Sequence, residues 1–151
     1  MEIPIAPEYV PGCDLSRLLR ALIARGQVLG TELSVFVARE ILAGIPDGDY
    51  EFSDFTDEDV VGGFPCRLAL KLSIRGDSAI LDFTGSDPQV TAALNVPTGN
   101  DPRHTLLLVG VYYVLFTLNP NLVLNSGLTR PFTCIAPQGS ILNPVFPAAV
   151  G

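Results

Sequence analysis

The 151-residue chain has no tryptophan, one methionine and one histidine, and it is poor in positive charge. Nine Lys and Arg residues face sixteen Asp and Glu residues, which gives a formal net charge of −7. The phosphates of nucleic acids and anionic membrane surfaces repel such a chain, and no basic cluster offsets the total. We therefore expect neither a nucleic-acid partner nor a membrane partner.

Charged residues of both signs are also scarce, at 17% of the chain, whereas hydrophobic residues reach 48%. Disordered chains show the opposite balance, because they lack the apolar surface that offsets the entropy of ordering. A folded domain of ordinary size is therefore predicted. Two interpretations of the high apolar content stay open: a partner covers part of the surface, or the core is simply well buried.

The three cysteines, Cys13, Cys66 and Cys134, are far apart and form no CxxC pair. Neither a disulfide framework nor a zinc site is predicted, and buried thiols in a reducing compartment are expected. The longest apolar run, 106–118, is shorter than the roughly 20 residues of a membrane helix. Because residues 1–4 lack the basic region of a signal peptide, a cytoplasmic location is predicted.

Motifs of nucleotide binding and nucleophilic catalysis are missing: the chain has no GxSxG, GxxxxGK[ST] or GxGxxG string. Two candidate catalytic residues remain. His104 precedes an expected helix and could act as a general acid or base, or could have no catalytic role. Asp87 ends the string Gly85-Ser86-Asp87, which is either an anion-binding nest or a structural turn. We predict no metal or cofactor bound by this chain.

Four acids crowd one short segment, and the sequence predicts a solvated loop there. They are Asp54, Asp57, Glu58 and Asp59. The glycine and distal glutamate of a calcium-binding EF-hand loop are missing.

The N-terminal part predicts an extended, proline-rich arm over 1–13 followed by a helical pair over 14–44. Asp14 is a suitable N-cap, and Gly26 and Gly44 are expected stops. The second helix is expected to bury one stripe of apolar side chains. This stripe contains Leu29, Leu33, Phe36, Val37 and Ile41.

Strict alternation of apolar and polar residues from Cys66 predicts a strand, and Gly76-Asp77 predicts a two-residue type II′ turn. The resulting hairpin has an apolar face and one charge pair. Its expected pairs are Ile74 with Ala79, Leu72 with Leu81, Leu70 with Phe83, and Lys71 with Asp82.

Further along, Asp101-Pro102 and Asn119-Pro120 bracket a helix over 102–118. Its apolar composition predicts burial on every side. The rest is turn-rich, with a short strand over 132–135. The fold class is therefore α+β, with a helical pair, an antiparallel hairpin or sheet and one buried apolar helix. We expect a single incomplete domain over 1–151, in which the α+β part covers 47–151.

Five strings, in this order, resemble the hydantoinase B/oxoprolinase family. They are Ile45-Pro46-Asp47-Gly48-Asp49-Tyr50-Glu51, Leu81-Asp82-Phe83-Thr84-Gly85-Ser86-Asp87-Pro88-Gln89-Val90, Leu124-Asn125-Ser126-Gly127 with Arg130-Pro131, Pro137-Gln138-Gly139-Ser140-Ile141-Leu142-Asn143-Pro144, and Pro147-Ala148-Ala149-Val150-Gly151. The resemblance covers about residues 38–151.

The resemblance implies a B-type chain that works with an A-type partner. Such enzymes open cyclic amides with ATP, as N-methylhydantoinases and 5-oxoprolinases do, or carboxylate ketones with ATP and bicarbonate, as acetone and acetophenone carboxylases do. ATP binds in the A-type partner, and metal ligands of the family lie upstream of the matched part. Which reaction and which substrate apply stays open.

B-type chains of the family are several times longer, so the resemblance implies a fragment or a reduced subunit of a hetero-oligomer. The expected partners are a hydantoinase A-type chain and the remaining B-type chain, with ATP and a divalent metal held elsewhere. The chain then contributes core and interface without a complete active site. The alternatives are a non-catalytic assembly or scaffolding subunit and an independent small hydrolase, which would need a nucleophile and base that the sequence does not show.

Overall fold

The computed structural model describes residues 21–22, 24–26, 30–58, 65–118, 122 and 124–150. Their elements are α1 (Thr31–Ala43), β1 (Gly48–Glu58), β2 (Pro65–Arg75), β3 (Ser78–Asp82), α2 (Thr105–Leu118) and β4 (Phe132–Ile135). The fold class is α+β. None of the helices in these ranges is long and apolar enough to cross a membrane.

The four strands form one mixed sheet in the order β1-β2-β3-β4. β1, β2 and β3 are antiparallel neighbours, whereas β4 lies parallel to β3. The parallel pairing is possible because the long connection through α2 returns the chain to the same end of the sheet. The predicted antiparallel sheet is thus corrected at its last strand, and the predicted strand over 132–135 is confirmed.

The hairpin of β2 and β3 has the predicted register, with Ile74 opposite Ala79 and Leu72 opposite Leu81. Gly76 has a φ of 58°, which the turn requires at its first central position. The expected pair of Leu70 with Phe83 lies beyond the end of β3.

The predicted position of Lys71 across from Asp82 is confirmed, but the ion pair that Lys71 forms is with another acid. Lys71 lies opposite Asp82, but its Nζ lies 3.0 Å from Oδ2 of Asp49 on β1. Oδ1 of Asp82 instead accepts the amide N–H of Thr84 at 2.9 Å. Because β2 is flanked by strands on both sides, Lys71 also has acidic neighbours on β1, where Glu51 lies opposite it, and the hairpin alone predicted only Asp82.

The acidic cluster is the clearest correction to the expected secondary structure. Asp54, Asp57 and Glu58 belong to β1 and not to a loop, and Asp59 lies outside the described residues. Backbone pairing with β2 continues through Phe55 opposite Arg67 and resumes at Glu58 after an irregularity. The bonds to β2 outweigh the low strand propensity of the acids.

Only the end of the predicted first helix can be compared with the structure. Residues 21–22 and 24 are helical, and Gly26 has a φ of 64°, as a helix stop requires. The arm over 1–13, Cys13 and most of the helix over 14–25 lie outside the described residues.

The second predicted helix is present as α1 and ends before Gly44. Its expected stripe is confirmed in part, since Leu33 and Ile41 pack against the core, whereas Leu29 lies outside the described residues. Val37 is fully buried as predicted, whereas Phe36 is 53% exposed. Ser34, Ala38 and Leu42 face the core in its place. Ser34, whose polar contact is described below, thus places a small side chain in the core.

The core lies between the inner face of the sheet and the two helices. Its most deeply buried large side chains include Val37, Ile74, Leu108, Leu128 and Ile141. Cys66 and Cys134 are buried free thiols, as expected. Helix α2 contributes Leu107, Leu108 and Leu115 to the core.

The expectation that α2 is buried on every side is wrong. Tyr113 is 74% and Val109 is 61% exposed on the side of the helix away from Leu108. The described part of the chain supplies no element to cover this side. The helix also begins at Thr105, three residues after the predicted start, because the carbonyl of Pro102 accepts the amide N–H of Cys134 at 2.7 Å and so joins the edge of β4.

Candidate functional site

The string that follows β3 folds into a tight turn over Asp82–Pro88. Gly85 has a φ of 97°, and the amide of Ser86 donates to the carbonyl of Phe83 at 3.1 Å. Oγ of Ser86 both accepts from the amide and donates to the carbonyl of Ala69, at 3.0 and 3.2 Å. The side chain of Ser86 thus makes the two backbone hydrogen bonds to β2 that a neighbouring strand would otherwise make.

Asp87, one of the two candidate catalytic residues, lies in the same turn. The amide of Arg67 donates to Oδ2 of Asp87 at 2.8 Å, and the amide of Asp87 donates back to the carbonyl of Arg67 at 2.9 Å. The carbonyl of Asp87 also accepts the amide of Ile141 at 2.9 Å. Its hydrogen bonds therefore join β2 to the C-terminal segment.

His104, the other candidate, lies immediately before α2. Its Nδ1 accepts the amide N–H of Leu106 at 3.3 Å, and its carbonyl accepts the amides of Leu107 and Leu108. These are the bonds of a helix N-cap, whereas a helix that began at Pro102, as the sequence predicted, would have its N-cap at Asp101. Within the described ranges, no hydrogen bond or ion pair joins His104 to Asp87.

Two buried asparagines hold the C-terminal segment in place. Nδ2 of Asn95 donates to the carbonyls of Val90 and Ala149, both at 2.7 Å, and its Oδ1 accepts the amide of Val90 at 2.9 Å. Nδ2 of Asn143 donates to the carbonyl of Ala136 at 2.9 Å and to Oδ1 of Asn100. Both side chains bridge segments that are distant in sequence.

A third polar contact joins α1 to the turn at 124–131. Nδ2 of Asn125 donates to Oγ of the fully buried Ser34 at 2.7 Å. Gly127 packs so closely against α1 that a Cβ there would overlap the carbonyl oxygen of Thr31. Position in a family-like string was the only signal in the sequence that could have found this contact.

Two concave regions of the surface are candidate ligand sites. One, of about 340 Å³, is lined by Gln89, Val90, Thr91 and 146–149. The other, of about 210 Å³, is lined by residues including Asn100, Asp101 and Cys134. Among the described residues, no Lys or Arg lines either one, and Asp101 would repel phosphate, so neither region suits ATP.

Thiol and metal chemistry find equally little support. Burial, with a smaller contribution from the charge of Asp101, raises the pKa of Cys134 to about 11, so it is protonated at neutral pH. Across the part of the chain that the structure describes, no group of three or more His, Cys, Asp or Glu side chains could hold a metal ion.

The profile of the hydantoinase B/oxoprolinase family matches residues 32–151. The chain belongs to this family. It is 32% identical over 116 residues to a B-type chain of a D-/L-hydantoinase from Pseudomonas sp. (strain NS671), which covers 73% of this chain and 20% of that protein. It is 35% identical over 86 residues to the 5-oxoprolinase of Dictyostelium discoideum, which covers 56% of this chain and 6% of that protein.

The fold is also similar to that of a solved family relative. The crystal structure of the ATP-dependent caprolactamase from Pseudomonas jessenii matches with a TM-score of 0.62 and 26% identity. The match covers 87% of this chain and 21% of the caprolactamase chain. The chain thus spans about a fifth of the length of this relative and of the hydantoinase chain.

The family strings coincide with the polar contacts just described. The turn over Asp82–Pro88 bonds to β2 and to the segment over 137–144, whereas the turn at 124–131 bonds to α1 and β3. In this member of the hydantoinase B/oxoprolinase family, the strings therefore correspond to bonds that fix the fold, and they bring together no nucleophile with an adjacent base among the described residues.

Proposed function

We propose that the chain is a structural portion of an ATP-dependent enzyme that opens cyclic amides, and that it contributes core and interface to that enzyme. The observation that carries this proposal is the family match over most of the chain combined with its coverage of about a fifth of the relatives. ATP and the reacting groups then belong to the A-type partner and the remaining B-type polypeptide, in a cytoplasmic hetero-oligomer.

The named relatives favour ring opening over carboxylation. A hydantoinase, an oxoprolinase and a caprolactamase each act, by name, on a ring that contains an amide bond. Ketone carboxylation stays the alternative reaction that the family resemblance allows.

The assembled enzyme tests the proposal. The tagged chain, expressed from its own locus, is purified with its associated A-type and B-type polypeptides and supplied with ATP and hydantoin, 5-oxoproline or caprolactam. We expect ring-opened product and ADP to form together with at least one of these substrates. ATP-dependent carboxylation of acetone or acetophenone without ring opening would contradict the proposal.

A second function, that of a non-catalytic scaffolding subunit, is favoured by the structural contacts of both candidate residues. His104→Asn preserves a side-chain cap for α2 and removes the imidazole, and Asp87→Asn preserves an acceptor for the amide of Arg67. We expect both variants of the assembled enzyme to keep the parent kcat. A large loss of kcat with unchanged assembly would instead place that residue in the chemistry.

A further inference from the structure

The outer face of α2 is an apolar surface that lacks a cover among the described residues. We define it as Leu106, Val109, Gly110, Tyr113 and Phe116, which recur at intervals of three and four residues and so lie on one side of the helix. The four large side chains are 45% to 74% exposed. Leu107, Leu108 and Leu115 lie on the opposite side, in the core.

This face has no charged group, since none of the fourteen residues of α2 is charged. The neighbouring hydroxyl of Thr117 donates to the carbonyl of Tyr113 at 2.8 Å, so it too is directed to the helix backbone. An aromatic side chain carries about 150–250 Å² of surface. Tyr113 and Phe116, together with Leu106 and Val109, therefore expose an area on the order of a few hundred Å². Patches of this size on soluble proteins mark contact sites.

Gly110 lies midway along the outer face, and packing among the described residues does not explain it. Nothing comes within 4 Å of the position that its Cβ would occupy. Glycine is among the least favourable residues in a helix interior, and alanine would fit here without a contact. A glycine at this position suits the close approach of a second backbone, as where two helices cross.

We propose that a second helix packs on the outer face of α2 and crosses it at Gly110, and that this helix comes from hydantoinase B/oxoprolinase-type polypeptide outside the fifth represented here. The inference rests on the proposed function, because the second helix would come from the larger enzyme proposed there. The lengths of the relatives support this occupant, since about four-fifths of each lies outside the match.

Charge argues against the other occupants. A helix that lies on a membrane has basic residues beside its apolar face, and α2 has none. A second copy would bring two chains of net charge −7 together.

Site-specific photo-crosslinking tests the proposal. Tyr113 is replaced by p-benzoylphenylalanine in the chain expressed from its own locus, and the peptides crosslinked after irradiation are identified by mass spectrometry. We expect a peptide from family-type sequence that does not align with residues 32–151. A matched probe at Phe36, an exposed aromatic of α1, should not capture the same peptide.

The glycine supplies the second measurement. Gly110→Leu should lower the yield of that crosslink at least about tenfold, whereas Gly110→Ala should leave most of it. Capture of a second copy, of lipid or of an unrelated protein, or no crosslink at all, would overturn the proposal. If the expected crosslink forms but the assembly opens no cyclic amide, the proposed function fails and this interface stands. If the assembly opens a cyclic amide but the expected crosslink does not form, the proposed function stands and this interface fails.

Discussion

At the scale of single residues, Gly127 shows most sharply how the family strings act on the fold. A Cβ at this position would overlap the carbonyl oxygen of Thr31 and would lie 2.9 Å from Cβ of Ser34. Because the nearest atom belongs to the backbone of α1, it cannot rotate away. We expect Gly127→Ala to lower the free energy of unfolding by about 1–3 kcal/mol, measured by urea denaturation.

Gly110→Ala is the matched control for this prediction. The same added methyl group meets no atom within 4 Å there, and alanine favours the helix by about 1 kcal/mol. The two substitutions should therefore change stability in opposite directions. Equal effects at both positions would contradict the close packing of Gly127 against α1.

Asn95 supports a second prediction at this scale. It is 3% exposed, and its side chain satisfies the backbone of Val90 and the carbonyl of Ala149. Asn95→Leu leaves these groups without their partner, at a cost of about 1–3 kcal/mol for each that stays buried. Thr91→Ala, at an exposed position in the same loop, should change stability by less than about 0.5 kcal/mol. Thermal unfolding of both variants checks the difference. An Asn95→Leu variant as stable as the parent would contradict the structural role of these hydrogen bonds.

At the scale of elements, β1 is tied to β2 by the carboxylate of Asp49 as well as by backbone bonds. Its Oδ2 lies 3.0 Å from Nζ of Lys71, and its Oδ1 lies 2.7 Å from a guanidinium nitrogen of Arg75. Bonds from Lys71, and then from Arg75, lower the pKa of Asp49 from the usual 3.8 to about 2.

The sign of the resulting pH dependence follows from that lowered pKa. The folded chain holds the proton of Asp49 less tightly than the unfolded chain does, so the ion pairs stabilise the fold fully above about pH 4. This contribution is lost as the pH falls towards 2. An NMR titration should place the carboxyl midpoint near 2, and Lys71→Met should raise it. A midpoint near 3.8 in the parent chain would exclude these ion pairs in solution.

The elements also show what could be read from the sequence. The alternation of Leu68, Leu70, Leu72 and Ile74 and the glycine turn determined the hairpin register, because both signals are local. β1 continues through Asp54, Asp57 and Glu58 because it pairs with β2, and α2 begins late because Pro102 bonds to Cys134. Both effects depend on segments that are distant in sequence. For the same reason, the sequence identified His104 and Asp87 as candidates but not their bonds to the start of α2 and to β2.

At the scale of the whole molecule, composition left open whether a partner covers part of the surface. Scarce charge was compatible with a covered surface or with a well-buried core, and the structure places uncovered apolar side chains on α2. The sequence could not say which side of the helix is covered by this chain, since apolar residues surround it entirely. The asparagines and Gly127 escaped detection because their partners lie dozens of residues away.

The most direct test of this account is turnover by the purified chain alone. The chain is incubated with ATP, a divalent cation and hydantoin, 5-oxoproline or caprolactam, and both ADP and ring-opened product are quantified. Because no described site suits ATP or joins a nucleophile to a base, we expect neither product above the buffer control. ATP-dependent ring opening by the isolated chain would contradict the claim that it is a structural part of a larger enzyme.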